Sequence, residues 1–129
     1  DYKLAGSAAN ARLSDLHWPP DLVWLGMGAD GHTASIFPGA DYEEALNPAK
    51  GVRAIGVRPD PFPPEAPVDR VTLTVPAIVE ARTTMLVING AEKQQVLEQA
   101  IEEGKKSAYP VGRVIDALTV PVDIYCLSV

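Results

Sequence analysis

The chain has 129 residues, of which 47% are hydrophobic and 22% charged, with a formal net charge of −6. Such a composition supports a buried core and excludes a wholly disordered chain. The acidic balance argues against nucleic acid as a partner, because non-specific binding needs Lys and Arg to meet phosphates. No apolar run reaches the roughly 20 residues that span a bilayer, and no basic-then-apolar leader opens the chain. The expectation is one domain over residues 1–129, cytoplasmic, with no membrane partner. The lone Cys126 lies in the apolar run Ile124-Tyr125-Cys126-Leu127. It reads as a buried strand residue, not a nucleophile.

In chain order, Tyr2–Leu16 reads as an amphipathic helix ended by Trp18-Pro19-Pro20, since proline cannot continue a helix. Asp21–Leu25 reads as a buried parallel strand. Gly26–Gly31 holds three glycines, which marks a loop needing unusual backbone angles or a close approach. Thr33–Phe37 reads as a short helix stopped by Pro38-Gly39, and Asp41 as the cap of another through Leu46. Val52–Val57 reads as a strand. Pro59–Pro67 carries five prolines in nine residues and reads as a stiff loop. Arg70–Val75 reads as a β-branched strand, and Pro76 opens a helix to Ala81. Thr83–Ile88 is a further strand, turned by Asn89-Gly90 into a helix over Ala91–Glu103 that Gly104 ends. A last helix over Pro110–Leu118 and a strand over Val120–Leu127 follow. Strands alternating with helices, several of them apolar on both faces, imply an α/β layered fold with a largely parallel sheet.

The chemistry concentrates in Gly26-Met27-Gly28-Ala29-Asp30-Gly31-His32. The stretch follows a strand, and ligands of open α/β sheets bind beyond the carboxyl ends of strands. An imidazole can take up and release protons near neutral pH, so His32 suits proton transfer. Asp30, one glycine away, is placed to orient the imidazole. A histidine that merely satisfies a loop carbonyl fits the local pattern equally well. Ser35 lacks the glycine-flanked elbow of a nucleophile and reads as a helix-start serine. His17 receives no role, Trp18 and Trp24 read as core or boundary packing, and Glu102-Glu103 as a solvated helix face.

The run from Gly26 through His32 to Thr33-Ala34-Ser35-Ile36-Phe37-Pro38-Gly39 resembles the signature of the 6-phosphogluconolactonases, within the glucosamine-6-phosphate isomerase/6-phosphogluconolactonase family. Arg70-Val71-Thr72-Leu73-Thr74-Val75-Pro76-Ala77 and Gly90-Ala91-Glu92-Lys93 also resemble that family, in the same order and spacing. The resemblance runs from Asp21 to Leu118. It implies a Rossmann-like fold related to the glucosamine-6-phosphate deaminases and ribose-5-phosphate isomerases, here its second half. It implies hydrolysis of the lactone of a sugar phosphate, 6-phosphoglucono-1,5-lactone, to 6-phosphogluconate in the oxidative pentose phosphate pathway, without metal or organic cofactor. Two histidines and one cysteine without ligand spacing agree with the last point.

Under that resemblance His32 is the general base and Asp30 orients it or the substrate. Gly28 and Gly31 contribute backbone N–H groups toward an oxyanion. Lys93 at a helix start meets the phosphate. Arg70 is a second phosphate candidate, its alternative being a loop-bracing arginine. Two competing readings follow from departures. The deaminases resemble this chain in Asp-Gly-His but continue to a glutamate where Phe37 stands. The Ser-Gly-Gly-Ser-type loop and Asp-Glu-Arg segment of the family's earlier half are absent from these residues. The chain thus also reads as a non-catalytic fragment or binding module, with little turnover by itself. Edges left open by a missing half would invite a homodimer.

Overall fold

The computed structural model describes residues 1–128. Its elements are α1 (Tyr2–Leu13), β1 (Leu22–Leu25), α2 (Tyr42–Leu46), β2 (Ala54–Val57), β3 (Arg70–Leu73), α3 (Val75–Val79), β4 (Thr83–Asn89), α4 (Ala91–Glu103), a 3₁₀ turn at Gly104–Lys106, α5 (Pro110–Ala117) and β5 (Val122–Leu127). They fall into two compact units: Asp1–Trp18 with Ser35–Ala77, and Pro19–Ala34 with the chain from Ile78 onward.

In the first unit β2 and β3 form an antiparallel pair, Ala54 opposite Leu73 and Val57 opposite Arg70. Two glycines let α1 lie directly on β2. A Cβ on Gly6 would stand 1.9 Å from the Gly56 nitrogen, and one on Gly56 would stand 1.8 Å from the Tyr2 carbonyl oxygen. The helix therefore meets the strand backbone to backbone, and Gly6 is its one buried residue. This corrects the amphipathic reading of α1, since no apolar stripe is needed where Cβ atoms are missing. The helix also stops at Leu13, and the chain continues to Leu16 in tight turns. Asp41 precedes α2 but makes no side-chain cap. Its carboxylate accepts instead from Lys3 Nζ at 2.5 Å and from the Arg58 amide at 2.8 Å. Burial alone would raise the Asp41 pKa. The Lys3 ammonium and the Arg58 amide outweigh it and hold the carboxyl below its ordinary value.

In the second unit β1, β4 and β5 form a parallel sheet with β4 in the middle. Leu22 and Trp24 stand beside Thr83 and Met85, which continue through Asp123 to the Val87–Tyr125 pair. The α/β fold with a parallel sheet is thus present, joined by an antiparallel pair that the alternation of elements did not indicate. Val23, Leu25, Leu86 and Ile88 are buried on one sheet face, and Leu97 and Ala100 of α4 and Val111 and Val114 of α5 are buried as well. Each buried Val, Leu or Ile side chain contributes about 1.5–3 kcal/mol. Gly112 lets α5 approach closely, because a Cβ there would lie 2.8 Å from the Ala100 carbonyl oxygen.

Three expectations are corrected in this unit. β1 is buried only at alternate residues. Trp24 is 68% exposed rather than packed in a core. Cys126 is exposed, because β5 is an outer strand with none of its residues fully buried. Among the described residues no helix is long and apolar enough to cross a membrane.

Candidate active site

β1 delivers the chain into the glycine loop. Thr33, 1% exposed, closes that loop by donating its hydroxyl to the Gly26 carbonyl at 2.7 Å. The Gly28 amide donates to the His32 carbonyl at 3.0 Å and the Gly31 amide to the Gly28 carbonyl at 2.9 Å. These bonds fold the five residues Gly28–His32 back on themselves.

Inside the fold, Asp30 Oδ1 accepts from the His32 amide at 3.0 Å and lies 2.5 Å from His32 Nδ1. Desolvation pushes the Asp30 carboxyl up, but the His32 amide and ring together outweigh it, and the pKa falls below its ordinary value. Asp30 is therefore an anion at neutral pH. A carboxylate only accepts, so it selects the tautomer with the proton on Nδ1 and leaves the lone pair on Nε2. The imidazole is 24% exposed, which gives it contact with solvent.

Both glycines are steric requirements here. A Cβ on Gly28 would stand 2.3 Å from His32 Cε1 and 2.4 Å from His32 Nδ1, so the ring rests against the bare Gly28 backbone. Gly31 has φ +82°, and a Cβ there would strike the Tyr109 ring at 2.5 Å. The Gly31 carbonyl accepts from the Val111 amide at 3.0 Å, which ties the loop to the start of α5. Tyr109, which the sequence did not flag, sets its ring against Gly31. It is distant in the chain and belongs to no polar motif.

The helix expected over Thr33–Phe37 is not formed. Ala34 takes φ +51°, the one non-glycine residue with positive φ among those described. A left-handed residue cannot propagate a right-handed helix. Ser35 accordingly lies in a turn, not at a helix start, and its amide donates to Thr72 Oγ1 at 3.1 Å.

Gly28, Asp30, Gly31 and His32 are brought together. Lys93 lies in the first turn of α4 in the same unit and makes no ion pair among the described residues. Arg70 belongs to the other unit, as the first residue of β3. Its guanidinium stacks over the Phe37 ring at 4.6 Å, and Nη2 donates to the Ala66 carbonyl at 2.9 Å. Nη1 is buried without a hydrogen-bond partner among the described residues. Arg70 also lines a cleft of about 350 Å³ with Asp1, Tyr2 and Asp69. Phe37 is buried at 7% exposure. No three His, Cys, Asp or Glu side chains among the described residues gather as a metal-ligand set.

Comparison with known proteins gives a consistent outcome. Residues 2–120 match the family model described as glucosamine-6-phosphate isomerases/6-phosphogluconolactonase. A 6-phosphogluconolactonase of Mesorhizobium japonicum is 38% identical over 122 residues, covering 94% of this chain and 49% of the relative. One of Neisseria meningitidis is 40% identical over 98 residues, covering 75% of this chain and 40% of the relative. The crystal structure of a 6-phosphogluconolactonase from Shewanella baltica superposes with a TM-score of 0.86 at 34% identity, over 99% of this chain and 52% of that one. A monomeric glucosamine-6-phosphate deaminase shares the fold, with a TM-score of 0.68 at 17% identity. The chain spans about half the length of the curated relatives it matches.

Proposed function

Since the chain belongs to the family of glucosamine-6-phosphate isomerases and 6-phosphogluconolactonases, we propose that it serves the hydrolysis of 6-phosphoglucono-1,5-lactone to 6-phosphogluconate in the oxidative pentose phosphate pathway, with His32 as general base. One observation carries the assignment of the base: the Asp30 carboxylate lies 2.5 Å from His32 Nδ1 while Gly28 leaves room for the ring.

The lactone is an internal ester with an electrophilic carbonyl. Nε2 takes a proton from water as the water oxygen bonds to that carbon. The resulting oxyanion collapses, the ring C–O bond breaks, and the departing oxygen receives the proton from the imidazolium. Asp30 stays ionised and stabilises the imidazolium by its charge. The amides of Gly28, Gly31 and His32 are engaged inside the loop or on Asp30. The two glycines therefore serve the substrate through their bare backbone surface. Oxyanion donation falls to the neighbouring amide of Ala29.

Lys93 meets the phosphate from the start of α4, where helix amides also favour an anion. Arg70 is the second cation proposed for the phosphate, since a guanidinium can pair two phosphate oxygens. Phe37 argues against deamination, because a buried phenyl ring moves no protons. Neither a cofactor nor a metal enters this chemistry, and a cytoplasmic location suits it.

The test joins this chain to the earlier half of the Mesorhizobium japonicum relative and supplies lactone and glucosamine-6-phosphate in separate assays. Lactone turnover is expected, and His32→Ala should lower it by about 10²–10⁴-fold. Near-normal hydrolysis by that variant, or deamination in place of hydrolysis, overturns the reading. The 129-residue chain alone is expected to turn over little.

A further inference from the structure

Asp30 and His32 are separated by a single residue, and that residue is a glycine. The angle between carboxylate and imidazole therefore depends on the φ and ψ of Gly31. Glycine is the residue least restricted in those angles. A pair built across such a joint is loose unless the joint is held, yet Asp30 Oδ1 lies 2.5 Å from His32 Nδ1. Within the loop the Gly31 amide donates to the Gly28 carbonyl, which restrains one side of the joint.

The other side is held from outside the loop. Gly31 takes φ +82°, and the place of its missing Cβ is occupied by Tyr109, with Cδ1 at 2.5 Å, Cβ at 2.8 Å and Cγ at 2.9 Å from that point. The Gly31 carbonyl accepts from the Val111 amide at 3.0 Å, so one short segment bears on the joint twice. Tyr109 is itself held through its backbone. Its amide donates to Ser107 Oγ at 3.1 Å, and its carbonyl accepts from the Gly112 amide at 3.0 Å. Ser107 is buried, and its hydroxyl donates to Glu103 Oε1 at 2.8 Å. Pro110 follows and keeps Tyr109 extended, at φ −85° and ψ 125°. The ring therefore stands as a fixed wall against Gly31.

We infer that Tyr109 is a positioning residue for His32: its ring, with the adjoining Val111 amide, locks the glycine joint that sets the imidazole against Asp30. This rests on the reading of His32 as the base of lactone hydrolysis. Acting through His32, Tyr109 bears on kcat and leaves KM in place. The wall is made by carbon atoms, so the phenol hydroxyl is not needed.

Tyr109→Ala and Tyr109→Phe are made in the joined enzyme and compared by lactone kinetics. NMR of the imidazole nitrogens is recorded above about pH 8, where an unperturbed imidazole is neutral. The His32 signals are those missing from the His32→Ala spectrum. In the parent and in Tyr109→Phe the ring proton should sit on Nδ1. In Tyr109→Ala both ring nitrogens should move toward the shifts of a freely rotating imidazole. Its kcat should fall about ten- to hundredfold, with KM within about twofold. Tyr109→Val suits the extended backbone and keeps apolar volume while removing Cδ1. It should show the same losses, and it decides the matter if Tyr109→Ala fails to fold. Ring nitrogens that stay as in the parent overturn the inference. So does an unchanged kcat, a loss carried by KM, or a Tyr109→Phe variant as impaired as Tyr109→Ala. A folded parent without lactone turnover strikes the proposed reaction instead, and the ring nitrogens alone then decide whether Tyr109 holds the joint.

Discussion

The His32 loop and the Arg70 strand start both carry polar residues flagged for chemistry, yet they are built in opposite ways. In the loop, the Asp30 carboxylate on the imidazole and the bare Gly28 backbone against it both come from within five residues, Gly28 to His32. Distant Tyr109 and Val111 only brace the loop from behind. Arg70 instead joins residues far apart in the chain, stacking on Phe37 and donating to Ala66. A local constellation can be recognised from spacing. A long cation that reaches several angstroms can either bind substrate or brace its own fold, and spacing does not separate the two.

The sharpest way to break this contrast is Gly28→Ala in the joined enzyme. The methyl group would meet the His32 ring, and a displacement of about 1 Å lowers turnover by roughly a hundredfold. The melting temperature should move little, because the displaced ring is partly exposed. Retained turnover would mean that the ring position seen here is not the working one. Gly31→Ala tests the bracing side. Positive φ and the Tyr109 ring together predict a loss of about 2 kcal/mol or more in denaturant unfolding. Pairing it with Tyr109→Ala should recover part of that loss, whereas simple additivity would dissociate the two residues.

Smaller effects separate the cations. Lys93→Ala is expected to raise KM about tenfold with kcat within about twofold, as for loss of a uniform phosphate contact. Arg70→Met should cost about 1–2 kcal/mol of stability from the lost stacking and hydrogen bond. A KM rise in Arg70→Met without loss of stability would make it a substrate ligand alone.

The smallest effect is in pH. Asp30 has a folded pKa below its ordinary value of 3.8. Its support for the loop is therefore complete above that value and is lost as pH falls through the lower folded pKa. The His32 amide resonance should move in that acidic window. In Asp30→Asn the movement should vanish. A midpoint above the ordinary carboxylate value would reverse the sign and contradict the pairing.

The sequence by itself determined the order of elements, the parallel character of the principal sheet and the local site. Asn89-Gly90, Gly104 and Pro110 punctuate β4, α4 and α5 where the structure turns. The glycines around Asp30 announced a close backbone approach before its partner was known. These features depend on backbone preference and short spacing. Only the tertiary structure decided that α1 meets β2 through Gly6 and Gly56, and that Ala34 breaks the helix expected over Thr33–Phe37. It also decided that Trp24 and Cys126 face solvent. An apolar run shows that a surface wants cover, but whether cover arrives depends on neighbours elsewhere in the fold. For β1 the described residues supply that cover at Val23 and Leu25 and not at Leu22 and Trp24, and no residue of β5 is buried.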